Sequence, residues 1–146
     1  RRRPTMWTSY LSGQFFLPLL AIFYLIGYPL VNEYILSSGV SAERSEAALY
    51  IKEKTKDGDT IYAWDTSASL YQKSSRLSAV SLLSPTLYVG TAENRLGLQK
   101  GLENSQPKYI LVNNDVKLLS DVRQLISQNY KEADLKLDHF KLYQLK

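Results

Sequence analysis

Behind three arginines, Arg1 to Arg3, the chain runs for 29 residues, Pro4 to Asn32, without one Asp, Glu, Lys, Arg or His. Within that run Phe15 to Val31 reads FFLPLLAIFYLIGYPLV, and only Pro18, Gly27 and Pro29 are unfriendly to a helix. Widened to Leu11–Leu36 it gives 26 residues, and about 20 suffice to cross a bilayer core. Three readings compete. A signal peptide would have a shorter core and a clean small-residue cleavage pattern, for which Ser37-Ser38-Gly39 is a weak match. A buried core helix would show polar positions at helical spacing, and nothing between Phe15 and Val31 is more polar than Tyr24 and Tyr28. The pattern predicts a transmembrane helix over 11–36, with Trp7, Tyr10, Tyr28 and Tyr34 near its ends as interfacial aromatics.

The same segment explains the charge. The chain carries 18 basic against 14 acidic residues, and without Arg1–Arg3 the balance is 15 to 14. The positive-inside bias therefore predicts a cytoplasmic flank over 1–10, with everything after about residue 37 on the extracytoplasmic face of the cell membrane. A linker over 37–42 and an exported domain over 43–146 complete the expected organisation. A chain opening on Arg rather than Met is expected to be a piece of a longer protein, its span either a simple anchor or the last of several.

The exported part reads as alternating elements. A helix capped by Ser41 or Ser45 runs to about Lys56, with Ala47, Ala48 and Ile51 on one face. Asp57-Gly58-Asp59 turns the chain into a continuous apolar strand, Thr60–Trp64. A brief helix to Tyr71, a short strand over Arg76–Val80 and a helix over Thr91–Asn104 follow. Leu82–Gly90, broken by Pro85, is a loop on the core or an irregular surface segment. Lys108–Asn113 reads as a second buried strand, and Val116–Asn129 as a helix with Val116, Leu119, Val122, Leu125 and Ile126 inward. Tyr130–Leu137 and Phe140–Leu145 alternate apolar and charged residues as an edge hairpin. The expected fold is α/β, a small three-layer Rossmann-like domain whose mixed sheet is parallel at its centre and carries a C-terminal β-hairpin, preceded by one transmembrane helix.

Chemistry is restricted by what is missing. No cysteine means no thiol catalysis and no thiolate metal site, and a single histidine, His139, makes Ser/His/Asp chemistry or a multi-histidine metal site improbable. Neither G-x-G-x-x-G nor the phosphate-loop motif occurs, so no cofactor is expected. The near-neutral body and scattered tyrosines argue against nucleic acid as a partner. In open α/β sheets the crevice lies at the carboxyl ends of the strands, which selects Asp65, Thr66, Ser67 and Asn113 as substrate-binding candidates able to hydrogen-bond sugar hydroxyls. The competing reading makes Asp65 and Asp115 caps of the helices that follow. His139, in a turn beside Asp138, lacks the pocket that orients a general base.

The stretch from Ala48 to Asp65, ALYIKEKTKDGDTIYAWD, followed by Leu70-Tyr71, Ser74-Ser75-Arg76 and a hairpin ending in Phe140-Lys-Leu-Tyr143, resembles the C-terminal extracytoplasmic domain of bacterial GT-C membrane glycosyltransferases. These are similar to dolichyl-phosphate-mannose protein mannosyltransferases. The resemblance implies a polytopic enzyme whose partners are the lipid bilayer, the remaining membrane spans of the same protein and a polyprenyl-phosphate-linked sugar. It implies transfer to a cell-envelope acceptor, with the soluble domain accessory or in contact with that acceptor. Catalytic carboxylates of that family lie in an early outward loop, so none is placed on this chain. The alternative is a singly anchored extracytoplasmic domain that binds a ligand or partner without catalysis.

Overall fold

The structure, a computed structural model, describes residues 18, 20–28, 38–81, 83 and 90–146. The chain divides into two compact units, Arg1–Gly39 and Val40–Lys146. In the first, Phe23–Gly27 forms a π-helical turn, and the rings of Tyr24 and Tyr28 stack at 5.5 Å. The transmembrane helix expected over 11–36 is not supported: among the described residues no helix is long and apolar enough to cross a membrane. Of that span residues 18 and 20–28 are described. Its remaining positions and the 1–10 flank lie outside the described residues, as does most of Leu82–Gly90.

The second unit is built on a five-stranded mixed sheet. Its elements are α1 (Ser38–Lys54), β1 (Thr60–Trp64), α2 (Ser69–Ser74), β2 (Leu77–Ser78), α3 (Ala92–Ser105), β3 (Tyr109–Asn113), α4 (Ser120–Asn129), β4 (Tyr130–Glu132) and β5 (Phe140–Leu145). The strand order is β2-β1-β3-β5-β4. β1 pairs in parallel with β2 and β3, whereas β5 is antiparallel to both β3 and β4.

The run of apolar residues in β1 and β3 is explained by burial on both faces, because side chains alternate across a strand. Ile61, Ala63, Tyr109, Leu111, Phe140 and Leu142 pack against Ala47, Ala48 and Ile51 of α1 and Leu70 of α2. Tyr62, Trp64, Ile110 and Val112 pack on the other face against Leu98 and Leu102 of α3 and Val122, Leu125 and Ile126 of α4. Removing an Ile or Leu such as Ile110 or Leu142 from water contributes on the order of 2 kcal/mol each. The two alanines of α1 let its backbone lie close to the sheet.

Two contacts tie helices to the rest of the domain. Arg76, 6% exposed, donates from Nη2 to the carbonyls of Lys52 and Thr55 and from Nε to the Thr55 hydroxyl, so a cation satisfies the open C-terminus of α1. Gly101 of α3 faces Val80, and a Cβ there would stand 2.6 Å from Val80 Cγ1. A glycine at this helix interior is therefore required by close approach, at the cost in helix propensity that glycine carries.

Several boundaries differ from the sequence reading for stated reasons. The strand expected over Arg76–Val80 is limited to Leu77–Ser78, since Arg76 turns inward to cap α1 and the Ser78 hydroxyl bonds Val80 at both N and O. α3 buries Leu98 and Leu102, one turn apart, and leaves Leu96 outside. α4 begins at Ser120 rather than Val116, because residues 114–119 form the connection from β3. The first hairpin strand ends at Glu132, beyond which Ala133, Leu135 and Leu137 still pack on the core. Alternation there marks an apolar face correctly, but the backbone leaves the ladder after Ala133 N donates to Leu142 O.

Candidate functional site

From β1 the chain crosses through α2 to β2 on one side, then through α3 to β3 on the other. The carboxyl ends of β1 and β3 thus flank the point where the winding reverses, the place where open α/β sheets form a crevice. Asp65 follows β1 there and Asn113 ends β3.

The structure fills this crevice with a hydrogen-bond network. Asp65 is fully buried, its Oδ2 accepting from Arg44 Nε at 2.7 Å. Its Oδ1 accepts from Asn113 Nδ2 at 2.9 Å and from the Thr66 backbone N–H at 2.8 Å. Asn113 Oδ1 in turn accepts from Asp115 N at 2.9 Å, shaping the turn that leaves β3. The Arg44 guanidinium lies 5.3 Å from the centre of the Phe140 ring, a cation–π contact that helps hold the charge away from water. A buried ion pair of this kind is favourable only when its remaining polar groups are also satisfied, which Asn113 and Thr66 do.

Asp65, Thr66 and Asn113 are joined in one network, whereas the Ser67 side chain, on the same connection, is engaged locally. Its hydroxyl pairs with Ser69, accepting from Ser69 N at 3.2 Å and lying 3.1 Å from Ser69 Oγ, at the start of α2. The expectation that Asp65 and Asp115 cap the following helices is corrected as well. α2 has Ala68 and α4 has Leu119 at the N-cap, neither with a side-chain hydrogen bond.

A second pair sits at the same end of the sheet. Glu43 Oε1 and His139 Nδ1 lie 2.6 Å apart, and Glu43 Oε2 accepts from His139 N at 2.8 Å. Burial alone would raise the Glu43 pKa, but the hydrogen bonds and positive charge of His139 outweigh it, and the carboxyl is held below its ordinary value. The hydrogen bond to Glu43 raises the His139 pKa, against a small opposing effect of burial. Next to this pair Asn114 N donates to His139 O and Asn114 Nδ2 to the Asp138 carbonyl. The histidine is thus oriented, contrary to the sequence expectation, by a residue 96 positions away.

Sequence reasoning missed two parts of this site. Arg44 had a signal: it stands three, four and seven residues before Ala47, Ala48 and Ile51, and so on the buried face of α1. Lys117, Arg123 and Lys141 had none, and they line a cavity of about 320 Å³ with Asn113, Asn114, Leu118 and Tyr143. Among the described residues no cluster of three acids or imidazoles is placed to hold a metal ion.

A family model described as "Putative competence-induced protein Ccs4 C-terminal domain" matches residues 41–146, more than two thirds of the chain. No curated protein and no solved structure matches the chain significantly. The match corrects the glycosyltransferase assignment and the membrane-enzyme role that went with it. The helix, D-G-D turn and apolar strand ending in Trp-Asp on which the resemblance rested describe a buried α/β unit, and such a unit serves many unrelated activities.

Proposed function

Since the chain belongs to the Ccs4 C-terminal domain family, we propose that it serves the competent state as a recognition module, acting by binding at the rim formed by the carboxyl ends of β1 and β3. The supporting observation is the occupancy of Asp65. Its carboxylate is fully buried and held by Arg44, Asn113 and the Thr66 amide. A general acid or base must reach its substrate and exchange a proton with it. Asp65 is placed instead to hold the two strand ends in one geometry, which presents the exposed Thr66 and the half-buried Ser67 as fixed polar contacts. Pre-ordering of this kind lowers the entropy cost of binding.

The test is genetic. The double substitution Thr66→Ala, Ser67→Ala is introduced at the chromosomal locus, and transformation frequency is compared with wild-type and deletion strains. The reading requires the frequency to fall toward that of the deletion strain while the purified variant keeps its thermal midpoint. A frequency equal to wild type overturns it.

A further inference from the structure

The cavity beside Asn114 differs from the rest of the rim in its charge. Lys117 lies in the connection from β3 to α4, Arg123 in the first turns of α4, and Lys141 on β5, where it pairs with Val112. Three separate elements thus deliver three cations to one concavity, and its lining contains no carboxylate. Among the described residues none of the three makes an ion pair. A second depression, lined by the first turns of α4, meets this one at Lys117, Leu118 and Arg123.

Like charges are not gathered without cost. Three cations around one cavity repel each other, although their exposure lets solvent and salt screen much of that repulsion. Elsewhere on this domain Lys108 pairs with Asp59 at 2.9 Å and Arg76 with Asp57 at 3.0 Å. In the cavity no lining residue supplies a counter-charge, which leaves all three exposed cations available to an anion from outside the chain. The α4 N-terminus, which Leu119 caps with no side-chain hydrogen bond, points its open N–H groups toward this end, and Asp121 in its first turn offsets part of that positive potential. The Tyr143 hydroxyl on the cavity wall makes no hydrogen bond among the described residues. Val116 and Leu118 give the wall an apolar portion.

We propose that this cavity is a binding site for a phosphate-bearing anion, its phosphate held by Lys117, Arg123 and Lys141 and its less polar portion resting on Leu118. A single carboxylate would leave two of the cations unneutralised, whereas the nearly two negative charges and several acceptor oxygens of a phosphate group suit three donors that line one cavity from three elements. At about 320 Å³ the cavity is at the lower end of the range for small-ligand sites. The proposal rests on the reading of the rim as a recognition surface and adds the class of ligand it takes.

The site is tested by calorimetric titration of the full chain with inorganic pyrophosphate and with glycerol 3-phosphate. A separate arm measures co-sedimentation with vesicles of phosphatidylglycerol against vesicles of phosphatidylcholine. Wild-type chain should bind a phosphate probe, and the triple substitution Lys117→Gln, Arg123→Gln, Lys141→Gln should abolish it. Each single substitution should weaken binding about tenfold, the equivalent of one charged contact. The triple Lys52→Gln, Lys54→Gln, Lys56→Gln removes the same charge at the far end of α1 and should bind as wild type does. Binding of the soluble probes places the phosphate on a small molecule, and binding of phosphatidylglycerol vesicles alone places it on a lipid headgroup. No binding in either arm, or equal loss in both triple variants, overturns the proposal. Such a failure stays distinct from failure of the rim reading, which is scored by transformation frequency in the Thr66→Ala, Ser67→Ala strain.

Discussion

Arg44 Nε donates to Asp65 Oδ2 across 2.7 Å, joining the buried face of α1 to the residue that follows β1. The side chain of Asp65 is fully buried and that of Arg44 is 10% exposed. This contact decides how the two strand ends are held, because the same carboxylate also receives Asn113 and Thr66.

Removing the charge from one partner leaves the other buried and uncompensated. Asp65→Asn should therefore lower unfolding free energy by about 3–5 kcal/mol. Combining it with Arg44→Met should cost clearly less than the two single losses added together, since the partners share one network. Urea unfolding of the four chains measures both. Additive losses would show that the pair is not coupled.

The pair of Glu43 and His139 makes stability depend on pH in a defined direction. The folded His139 pKa lies above its ordinary 6.5, so its contribution is present in full below that value and fades as pH rises through the folded pKa. The folded Glu43 pKa lies below 4.5, so its contribution is present above that value and fades as pH falls through the folded pKa. The difference in urea midpoint between wild type and His139→Gln should thus be greatest between pH 4.5 and 6.5 and shrink as pH rises beyond the folded histidine pKa. A difference that grows with pH would contradict the assignment.

Two glycines of α3 should respond oppositely to the same substitution. Gly97→Ala meets nothing within 4 Å and should stabilise by about 0.5–1 kcal/mol through helix propensity. Gly101→Ala drives a methyl group into Val80 and should destabilise by about 1–3 kcal/mol. Thermal melting of both variants checks the sign of each. Stabilisation by both would mean that Val80 yields at no cost.

Tyr62 and Tyr130 are both buried, and their hydroxyls differ in partners. Among the described residues the Tyr62 hydroxyl has no hydrogen-bond partner, and burial pushes its pKa well up. Tyr130 donates to the Pro107 carbonyl at 2.9 Å, and burial pushes its pKa to about 12. Tyr62→Phe should stabilise by about 1 kcal/mol by removing an unpaired buried polar group, and Tyr130→Phe should destabilise by about as much by stranding a carbonyl. Denaturant midpoints of the two variants separate these outcomes.

Much of the fold was legible along the chain. Burial of β1 and β3 follows from unbroken apolar runs, and the mixed sheet follows from helices placed between them with a charged, alternating C-terminus. The α4 boundary was not, because Val116 and Leu119 carry helical spacing yet belong to the connection that curves around Asn113. The strand over 133–137 failed for a related reason: apolar alternation reports which side chains are buried, and hydrogen-bond pairing is a separate matter. The GT-C resemblance failed because it rested on residues that encode burial and turning, which unrelated α/β domains share.

The sequence by itself determined that β1 and β3 are buried apolar strands, that helices stand between them, and that three of its excess positive charges sit at the amino end. Those properties are local, set by side-chain period and turn residues within a few positions of one another. The tertiary structure alone decided that Asp65 meets Arg44 and Asn113, partners 21 and 48 positions away, that His139 meets Glu43, and that Lys117, Arg123 and Lys141 share one cavity. Such meetings depend on the order in which strands pair and on where the winding of the sheet reverses, and no periodicity in a linear chain records either.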